Sequence, residues 1–244
     1  MEHLFLAFFL FMAIAFLYSS VGHAGASGYL AIMSLLSFPI ESIKPMSLVL
    51  NIVVSLIATY KFLKEGCFDR KVFVSLAVTS IPCAFIGGYV KVNPEWFKVG
   101  AGIFLILAAA LLLLRKYIKA SEEIKSLNLP LALVIGAIIG LISGLLGIGG
   151  GIFVSPIIIT LGWATIRNTS GIAALFILCN SILGLLGHYL SIKTIDFNIV
   201  YWVIAVSIGG FIGAHYGAKR FRNEVILILL SIVLLSAGLK FILV

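Results

Sequence analysis

Residues 145–156 constrain the fold most, because they place four glycines in five positions inside a long uncharged stretch. Glycine in a helix interior costs roughly 0.5 to 1 kcal/mol relative to alanine. Lipid offers freed backbone groups no partner, so non-helical backbone at membrane depth is tolerated only against protein or in a polar cavity. The stretch therefore predicts a helix break that lines a site, followed by a short helix over residues 152–161 whose first N–H groups form an anion receptor. The alternative is a glycine seam for close helix packing.

The composition places this break in a membrane protein. Apolar residues make up 62% of the chain and charged residues 11%, whereas soluble proteins average about 25% charged. The basic residues behind the net charge of +8 lie between apolar blocks, where they orient the chain in a lipid bilayer. Basic and aromatic residues are not interleaved in the pattern typical of nucleic-acid binding, so we expect no nucleic-acid partner. The three cysteines have no Cys-x-x-Cys spacing, so we expect no disulfide framework, metal site or cofactor.

The chain contains a duplicated half. Charge-poor blocks cover residues 4–21, 25–39, 45–60, 72–90 and 99–114, and the same order recurs at 131–146, 150–162, 168–187, 197–214 and 225–239. Individual residues also recur about 125 positions apart: Gly22 with Gly147, Gly25 with Gly150, Ser47 with Ser170, Ile43-Lys44 with Ile166-Arg167, and Phe85-Ile86-Gly87 with Phe211-Ile212-Gly213. We therefore predict two repeats, 1–120 and 121–244, that together form one transmembrane domain.

The basic residues predict that the two repeats are inverted. With five side changes in each half and both termini outside, 12 of the 17 Lys and Arg residues lie inside, as the positive-inside rule requires. Four side changes in each half give a weaker split, and an odd number is what inverts a repeat. The sequence thus predicts an all-α polytopic protein of the cell membrane with two inverted repeats of five helical segments.

The second block of each half is short. Residues 26–38 give about 19 Å of helix, against a hydrocarbon core of about 30 Å. The segment either crosses the membrane or forms a helical hairpin with the preceding helix. In the hairpin arrangement, the first glycine turn (residues 22–25) and the second glycine turn (residues 147–151) meet near the midplane.

Residues 144–156, Gly-Leu-Leu-Gly-Ile-Gly-Gly-Gly-Ile-Phe-Val-Ser-Pro, with Ile-Arg-Asn-Thr-Ser at 166–170, resemble the sulfite exporter TauE/SafE family of membrane permeases. The first half departs from the family pattern, since it lacks a proline at the place of Pro156 and has Met46-Ser47 instead of Thr-Ser. The resemblance implies transport of sulfur-containing anions such as sulfite and small organosulfonates. It leaves the individual anion open.

Backbone dipoles are the expected basis of anion binding, because the interiors of the blocks carry few cations. Each helix N-terminus is equivalent to about +0.5 charge, so the two at the glycine turns supply about one positive charge. Side chains nearby add hydrogen-bond donors, although the asparagines also suit interhelical hydrogen bonds and the serines suit bonds within their own helices. The candidate substrate-binding residues are Gly22, His23, Gly25, Ser27, Asn51, Gly147, Gly149, Gly150, Gly151, Ser155 and Asn180.

Two other functional classes are compatible with parts of the sequence. Ser27 in Gly-Ala-Ser-Gly and His215 in Ala-His-Tyr-Gly resemble the serine and histidine motifs of rhomboid intramembrane proteases, which would make the chain an enzyme. A cation or proton pathway is the third hypothesis, although such pathways normally use buried carboxylates. We expect a transporter with a small anionic substrate and no catalytic residue. No feature of the sequence defines an oligomeric state.

Overall fold

The computed structural model describes residues 2–20, 23–114, 124–192, 199–217 and 223–243, and these form ten α-helices and no strand. In chain order the helices are α1 (Glu2–Ser20), α2 (Ala26–Leu35), α3 (Ile40–Lys64), α4 (Arg70–Tyr89), α5 (Pro94–Leu114), α6 (Leu129–Leu146), α7 (Gly151–Leu161), α8 (Ile166–Ile192), α9 (Ile199–Gly217) and α10 (Asn223–Leu243). Each predicted charge-poor block overlaps one helix. The prediction of an all-α polytopic membrane protein is confirmed.

The helices differ in whether they are long enough to cross a membrane. Within the described residues, α3, α4, α5, α6 and α8 are sufficiently long and apolar. By contrast, α2 has 10 residues and α7 has 11. At 1.5 Å per residue these helices reach about half of a 30 Å hydrocarbon core. Neither α2 nor α7 therefore crosses on its own, and their arrangement as hairpins stays a prediction.

The helices pack in pairs that match between the two halves. α4 contacts α6 and α8, and α9 contacts α1 and α3. α2 contacts α10 and α3, and α7 contacts α5 and α8. Each helix corresponds to the one five places away in chain order, so that α4 corresponds to α9 and α2 to α7. The contacts of α4 and α2 then correspond to those of α9 and α7. A duplicated half produces this pattern, whereas the inversion of the halves across a membrane stays a prediction.

Glycines allow α6 to approach α4 closely. Gly136, Gly140 and Gly144 recur every four residues and lie on one side of α6. A Cβ atom added at each would overlap a backbone carbonyl of α4, those of Leu76, Ser80 and Ala84 respectively. Small residues at this spacing are typical of close helix contacts in membranes. A glycine seam of the kind considered for residues 145–156 is thus present in α6 itself.

The Phe-Ile-Gly triplet that recurs in the two halves has the same packing role in both. It ends at Gly87 in α4 and at Gly213 in α9. A Cβ atom at Gly87 would overlap the carbonyl of Leu141 in α6, and one at Gly213 would overlap the carbonyl of Phe16 in α1. Phe16 and Leu141 are themselves about 125 positions apart. The repeated triplet therefore marks an equivalent helix contact in each half.

The short helix α2 lies in the protein interior. Every residue from Ala26 to Ser34 is buried. Tyr29 packs against Phe11 of α1, and Phe11 in turn contacts Trp202 of α9, with ring centroids 5.9 and 5.1 Å apart. The start of α2 is consequently held between helices from both halves.

Candidate functional site

The second glycine turn joins α6 to α7 through left-handed backbone conformations. Gly147, Gly149 and Gly150 have φ angles of 76°, 73° and 79°. Residues with a Cβ atom seldom adopt such angles, which explains why glycines are concentrated here. α7 begins at Gly151, one residue before the predicted start. The predicted helix break is therefore present.

The first glycine turn leads into α2 in a similar way. Gly25, with a φ angle of 99°, directly precedes α2, just as Gly150 precedes α7. The Tyr29 hydroxyl donates a hydrogen bond to the carbonyl of Ala24 at 2.8 Å and so ties the turn to its helix. The candidate Gly22 lies outside the described residues. Both short helices thus start immediately after a left-handed glycine.

Two polar side chains of α3 hold the second glycine turn. The Ser47 hydroxyl donates to the carbonyl of Gly147 at 2.8 Å. One helical turn further on, Asn51 Nδ2 donates to the carbonyl of Ile148 at 3.2 Å and to Ser181 Oγ of α8 at 3.2 Å. Residues four apart lie on the same face of a helix. This face of α3 therefore satisfies carbonyls that the helix break leaves free.

Gly149 has no space for a side chain. A Cβ atom there would overlap Asn51 Nδ2, and it would lie 2.7 Å from Ile177 Cγ2 and 2.9 Å from Ser181 Oγ. Both the φ angle and this close contact with α3 and α8 require glycine. The second glycine turn is accordingly packed directly on the polar groups that bind its carbonyls.

A small cavity lies where the two glycine turns meet. It leaves about 10 Å³ in which the centre of a water molecule can lie, which is room for about one water. Its walls come from the first glycine turn, the second glycine turn and the starts of α2 and α7, with contributions from α1, α3 and α8. The lining residues are Tyr18, His23, Ala24, Gly25, Ala26, Ser27, Asn51, Ile148, Gly151, Ile152 and Ile177.

The cavity presents hydrogen-bonding groups but no Asp, Glu, Lys or Arg among the described residues. Tyr18 Oη and Ser27 Oγ are hydrogen-bonded at 2.7 Å. Asn51 Oδ1 is buried and has no partner in the described part of the chain. The N–H groups of the first two residues of α2 and of α7 also have no acceptor there, as is usual at helix starts. The arrangement thus directs two helix N-termini and several polar side chains at one small space.

The predicted site residues fall into three groups. Those that line the cavity are His23, Gly25, Ser27, Asn51 and Gly151. Those that form the second glycine turn without appearing in the cavity wall are Gly147, Gly149 and Gly150. Those that lie elsewhere are Ser155 and Asn180. A role in substrate binding stays a prediction for all of them.

Asn180 belongs to a different contact from Asn51. Its Oδ1 accepts a hydrogen bond of 2.8 Å from Ser80 Oγ, so it joins α8 to α4. Tyr18 and Ser181 contact the site but were not predicted. The adjacent Asn-Ser pair in α8 was a signal for Ser181, whereas Tyr18 was hidden in an apolar helix whose partner face the sequence does not reveal.

Two buried ionisable residues correct the sequence analysis. Lys44 directly precedes the predicted block 45–60, and His188 directly follows the predicted block 168–187. The structure places Lys44 within α3 at 7% exposure and His188 within α8 at 2% exposure. Helices α3 and α8 extend further than the charge-poor blocks, because a helix can continue through a charged residue that is buried against neighbours.

A family model described as sulfite exporter TauE/SafE matches residues 6–241. The chain belongs to the sulfite exporter TauE/SafE family. The resemblance inferred from residues 144–156 and 166–170 is therefore confirmed. This TauE/SafE protein is a membrane transporter.

Relatives of this TauE/SafE protein carry transporter names. The probable membrane transporter protein y4hK of Sinorhizobium fredii is 36% identical over 233 residues, which cover 94% of each chain. The probable membrane transporter protein YunE of Bacillus subtilis is 26% identical and covers 80% of this chain and 78% of its own length. The probable membrane transporter protein YdhB of Bacillus subtilis is 25% identical over 206 residues and covers 82% of each. No solved structure gives a significant match.

Family membership rules out the rhomboid-protease alternative for this TauE/SafE protein, since the family consists of transporters. The geometry agrees. Ser27 lines the cavity beside Asn51, while the carbonyl preceding His215 accepts a hydrogen bond from Lys61. Asn51 and Lys61 are ten residues apart on α3, or about 15 Å along the helix. Ser27 and His215 therefore lie beside different parts of α3.

Proposed function

We propose that this protein carries sulfur-containing oxyanions, such as sulfite or small organosulfonates, across the cell membrane. The observation that supports the proposal is the cavity between the two glycine turns. The N-termini of α2 and α7 open onto it, and no described carboxylate lines it. Such a site favours a small anion over a cation.

The charge available in the cavity fits a small oxyanion. Two helix N-termini contribute about one positive charge in total. The unbonded backbone N–H groups at the starts of α2 and α7, with one O–H of the Tyr18–Ser27 pair, match the several acceptor oxygens of sulfite or a sulfonate group. Dipoles in a water-poor site replace the hydration that the anion loses on leaving water.

The size of the cavity implies movement during transport. Room for about one water is too small for a sulfite ion, so under this proposal the anion binds in a wider arrangement of the same site. Binding requires the two glycine turns to separate. Because the turns are carried by helices from different halves, a small shift between the halves opens the site.

Flux measurements in proteoliposomes test the proposal. Purified protein is reconstituted, and uptake of sulfite, methanesulfonate, isethionate, sulfate, thiosulfate and acetate is compared with uptake by liposomes without protein. We expect sulfite or the sulfonates to be taken up fastest. Preference for acetate over every sulfur anion, or uptake of cations alone, would contradict the proposed substrate class.

A further inference from the structure

The helices α3 and α8 run side by side in opposite directions. Near one end of the contact, a Cβ atom added at Gly171 of α8 would lie 3.4 Å from Phe62 Cβ of α3. Near the middle, Asn51 bonds Ser181, and Leu48 lies beside Gly184. As the α3 number falls, the α8 number rises by the same amount to within one residue. This register brings Lys44 opposite His188.

Lys44 carries a buried ammonium group whose partners in the described part of the chain are backbone carbonyls. Its Nζ donates to the carbonyls of Gly87 and Gly88 in α4 at 3.3 and 3.1 Å. Within the described residues it forms no ion pair. Two carbonyls use two of the three ammonium N–H donors. A buried cation is costly unless it is paired with an opposite charge.

His188 is buried beside this lysine, and the described residues offer its imidazole no hydrogen-bond partner. Neither Nδ1 nor Nε2 has one among the described residues, although the side chain is only 2% exposed. The register of α3 on α8 places Lys44 opposite this imidazole. Buried polar groups in proteins are almost always bonded to protein, water or a ligand. The pair therefore leaves at least one ammonium N–H and both imidazole nitrogens available to a ligand.

Lys44 also touches the second glycine turn. A Cβ atom at Gly147 would lie 2.9 Å from the Lys44 carbonyl oxygen and 3.2 Å from Lys44 Cγ. Ser47, one turn along α3, bonds the Gly147 carbonyl. From Lys44 to Asn51 is seven residues, or about 10 Å along the helix. Lys44 thus lies about 10 Å along α3 from the cavity, against the Gly147 end of the second glycine turn.

We propose that Lys44 and His188 form a second oxyanion-binding site, through which the anion passes on its way to or from the cavity between the glycine turns. The ammonium provides the opposite charge that the anion needs, and the imidazole provides a further N–H donor. The anion in turn supplies the negative charge that the buried lysine lacks. The inference rests on the proposed function, since it assigns this site to the transported oxyanion.

Histidine NMR on the full-length protein in nanodiscs tests the site. The protein is labelled at histidine, the His188 signal is assigned with His188→Gln, and methanesulfonate, sulfate, acetate and chloride are titrated. We expect methanesulfonate to shift the His188 signal in a saturable manner. In Lys44→Met the apparent dissociation constant should rise about tenfold or more, because a hydrogen bond to a charged group is lost. Lys44→Arg should retain most of the affinity.

Arg167 provides the matched control. It occupies the position in the second half that corresponds to Lys44, but it is exposed. Arg167→Met should leave methanesulfonate binding unchanged. If Lys44→Met does not fold, the site is tested by comparing sulfonate uptake in His188→Gln and His188→Leu. The glutamine variant keeps a hydrogen-bond donor and should retain more uptake than the leucine variant.

The outcomes separate the site from the substrate class. A folded Lys44→Met that binds and transports methanesulfonate like the unmodified protein would overturn the second site and leave the proposed function intact. A His188 signal that responds to acetate but to no sulfur oxyanion would support the site and overturn the substrate class. A His188 signal that changes with pH but with none of the anions would assign the pair to proton exchange and overturn the proposal.

Discussion

At the scale of single residues, Asn51 joins α3, the second glycine turn and α8 through one side-chain amide. We expect Asn51→Leu to abolish sulfonate uptake, because the carbonyl of Ile148 loses its partner and the cavity loses a polar wall. The lost interhelical bonds should cost about 0.6 to 2 kcal/mol of stability. Uptake in proteoliposomes and thermal unfolding in detergent measure the two effects.

Asn180 is the control for this prediction. Asn180→Leu also removes a buried interhelical hydrogen bond, so its loss of stability should be similar. Because Asn180 lies away from the cavity, uptake should remain close to that of the unmodified protein. Equal losses of uptake in the two variants would mean that lining the cavity gives Asn51 no role that Asn180 lacks.

Gly149 and Gly66 separate the effect of backbone conformation from that of packing. Both have positive φ angles, of 73° and 68°, but no described atom lies within 4 Å of a Cβ atom placed at Gly66. Gly66→Ala should cost only the left-handed strain of about 1 to 2 kcal/mol. Gly149→Ala should destabilise the protein further and stop uptake, because the new methyl group displaces Asn51.

Thermal unfolding and uptake of the two alanine variants provide the measurement. The predicted order is unmodified protein, Gly66→Ala, then Gly149→Ala in falling stability, with uptake preserved in Gly66→Ala. Equal destabilisation of both variants would mean that the contact between Gly149 and Asn51 contributes nothing.

At the scale of helices, the sequence predicted the breaks better than the ends. A helix through the glycine run of the second turn would be energetically unfavourable. The start of α7 was therefore predicted to within one residue. The ends of α3 were missed because charge was used as the boundary, yet Lys44 lies inside the helix. Burial of a lysine depends on carbonyls supplied by α4, and the sequence of α3 contains no sign of them.

The contact of α6 with α4 gives a prediction at this scale. A Cβ atom at Gly140 would lie 2.7 Å from Ser80 Cα and would overlap the Ser80 carbonyl. We expect Gly140→Ala to force the two helices apart and lower the thermal unfolding temperature. Gly100→Ala in α5 is the control, since among the described residues its Cβ atom meets only a Leu146 methyl group, at 3.4 Å. It should be neutral or slightly stabilising, because alanine favours helix more than glycine. An unchanged unfolding temperature in Gly140→Ala would contradict the close packing.

At the scale of the whole molecule, cysteine accessibility tests the inverted topology with both termini outside. In a variant without the native cysteines, Lys91→Cys should react with an impermeant maleimide added to intact cells. Ser126→Cys, in the link between the halves, should react only after the membrane is permeabilised. Both positions are exposed in the structure. Labelling of Ser126→Cys in intact cells would overturn the arrangement.

Prediction of the site was limited because the site is formed by segments that lie far apart in the sequence. The sequence identified both glycine turns and the candidate Asn51, because each is a local anomaly in an apolar chain. It did not separate Asn51 from Asn180, which are the same residue type within corresponding apolar blocks of the two halves. Their different partners follow from the register of α3 on α8 and of α4 on α8, which depends on packing across the whole molecule.

The contact between α1 and α9 has a consequence for the synthesis of the protein, because the two helices are far apart in the chain. Gly209 of α9 packs on the carbonyl of Met12 in α1, and about 200 residues separate them. At about 5 to 20 residues per second, the ribosome takes on the order of 10 to 40 seconds to deliver α9 after α1 has emerged. During that interval α1 must reside in lipid without its final neighbour. Its run of uncharged side chains from Leu4 to Ser20 makes that waiting period tolerable, since apolar side chains need no protein partner in a bilayer.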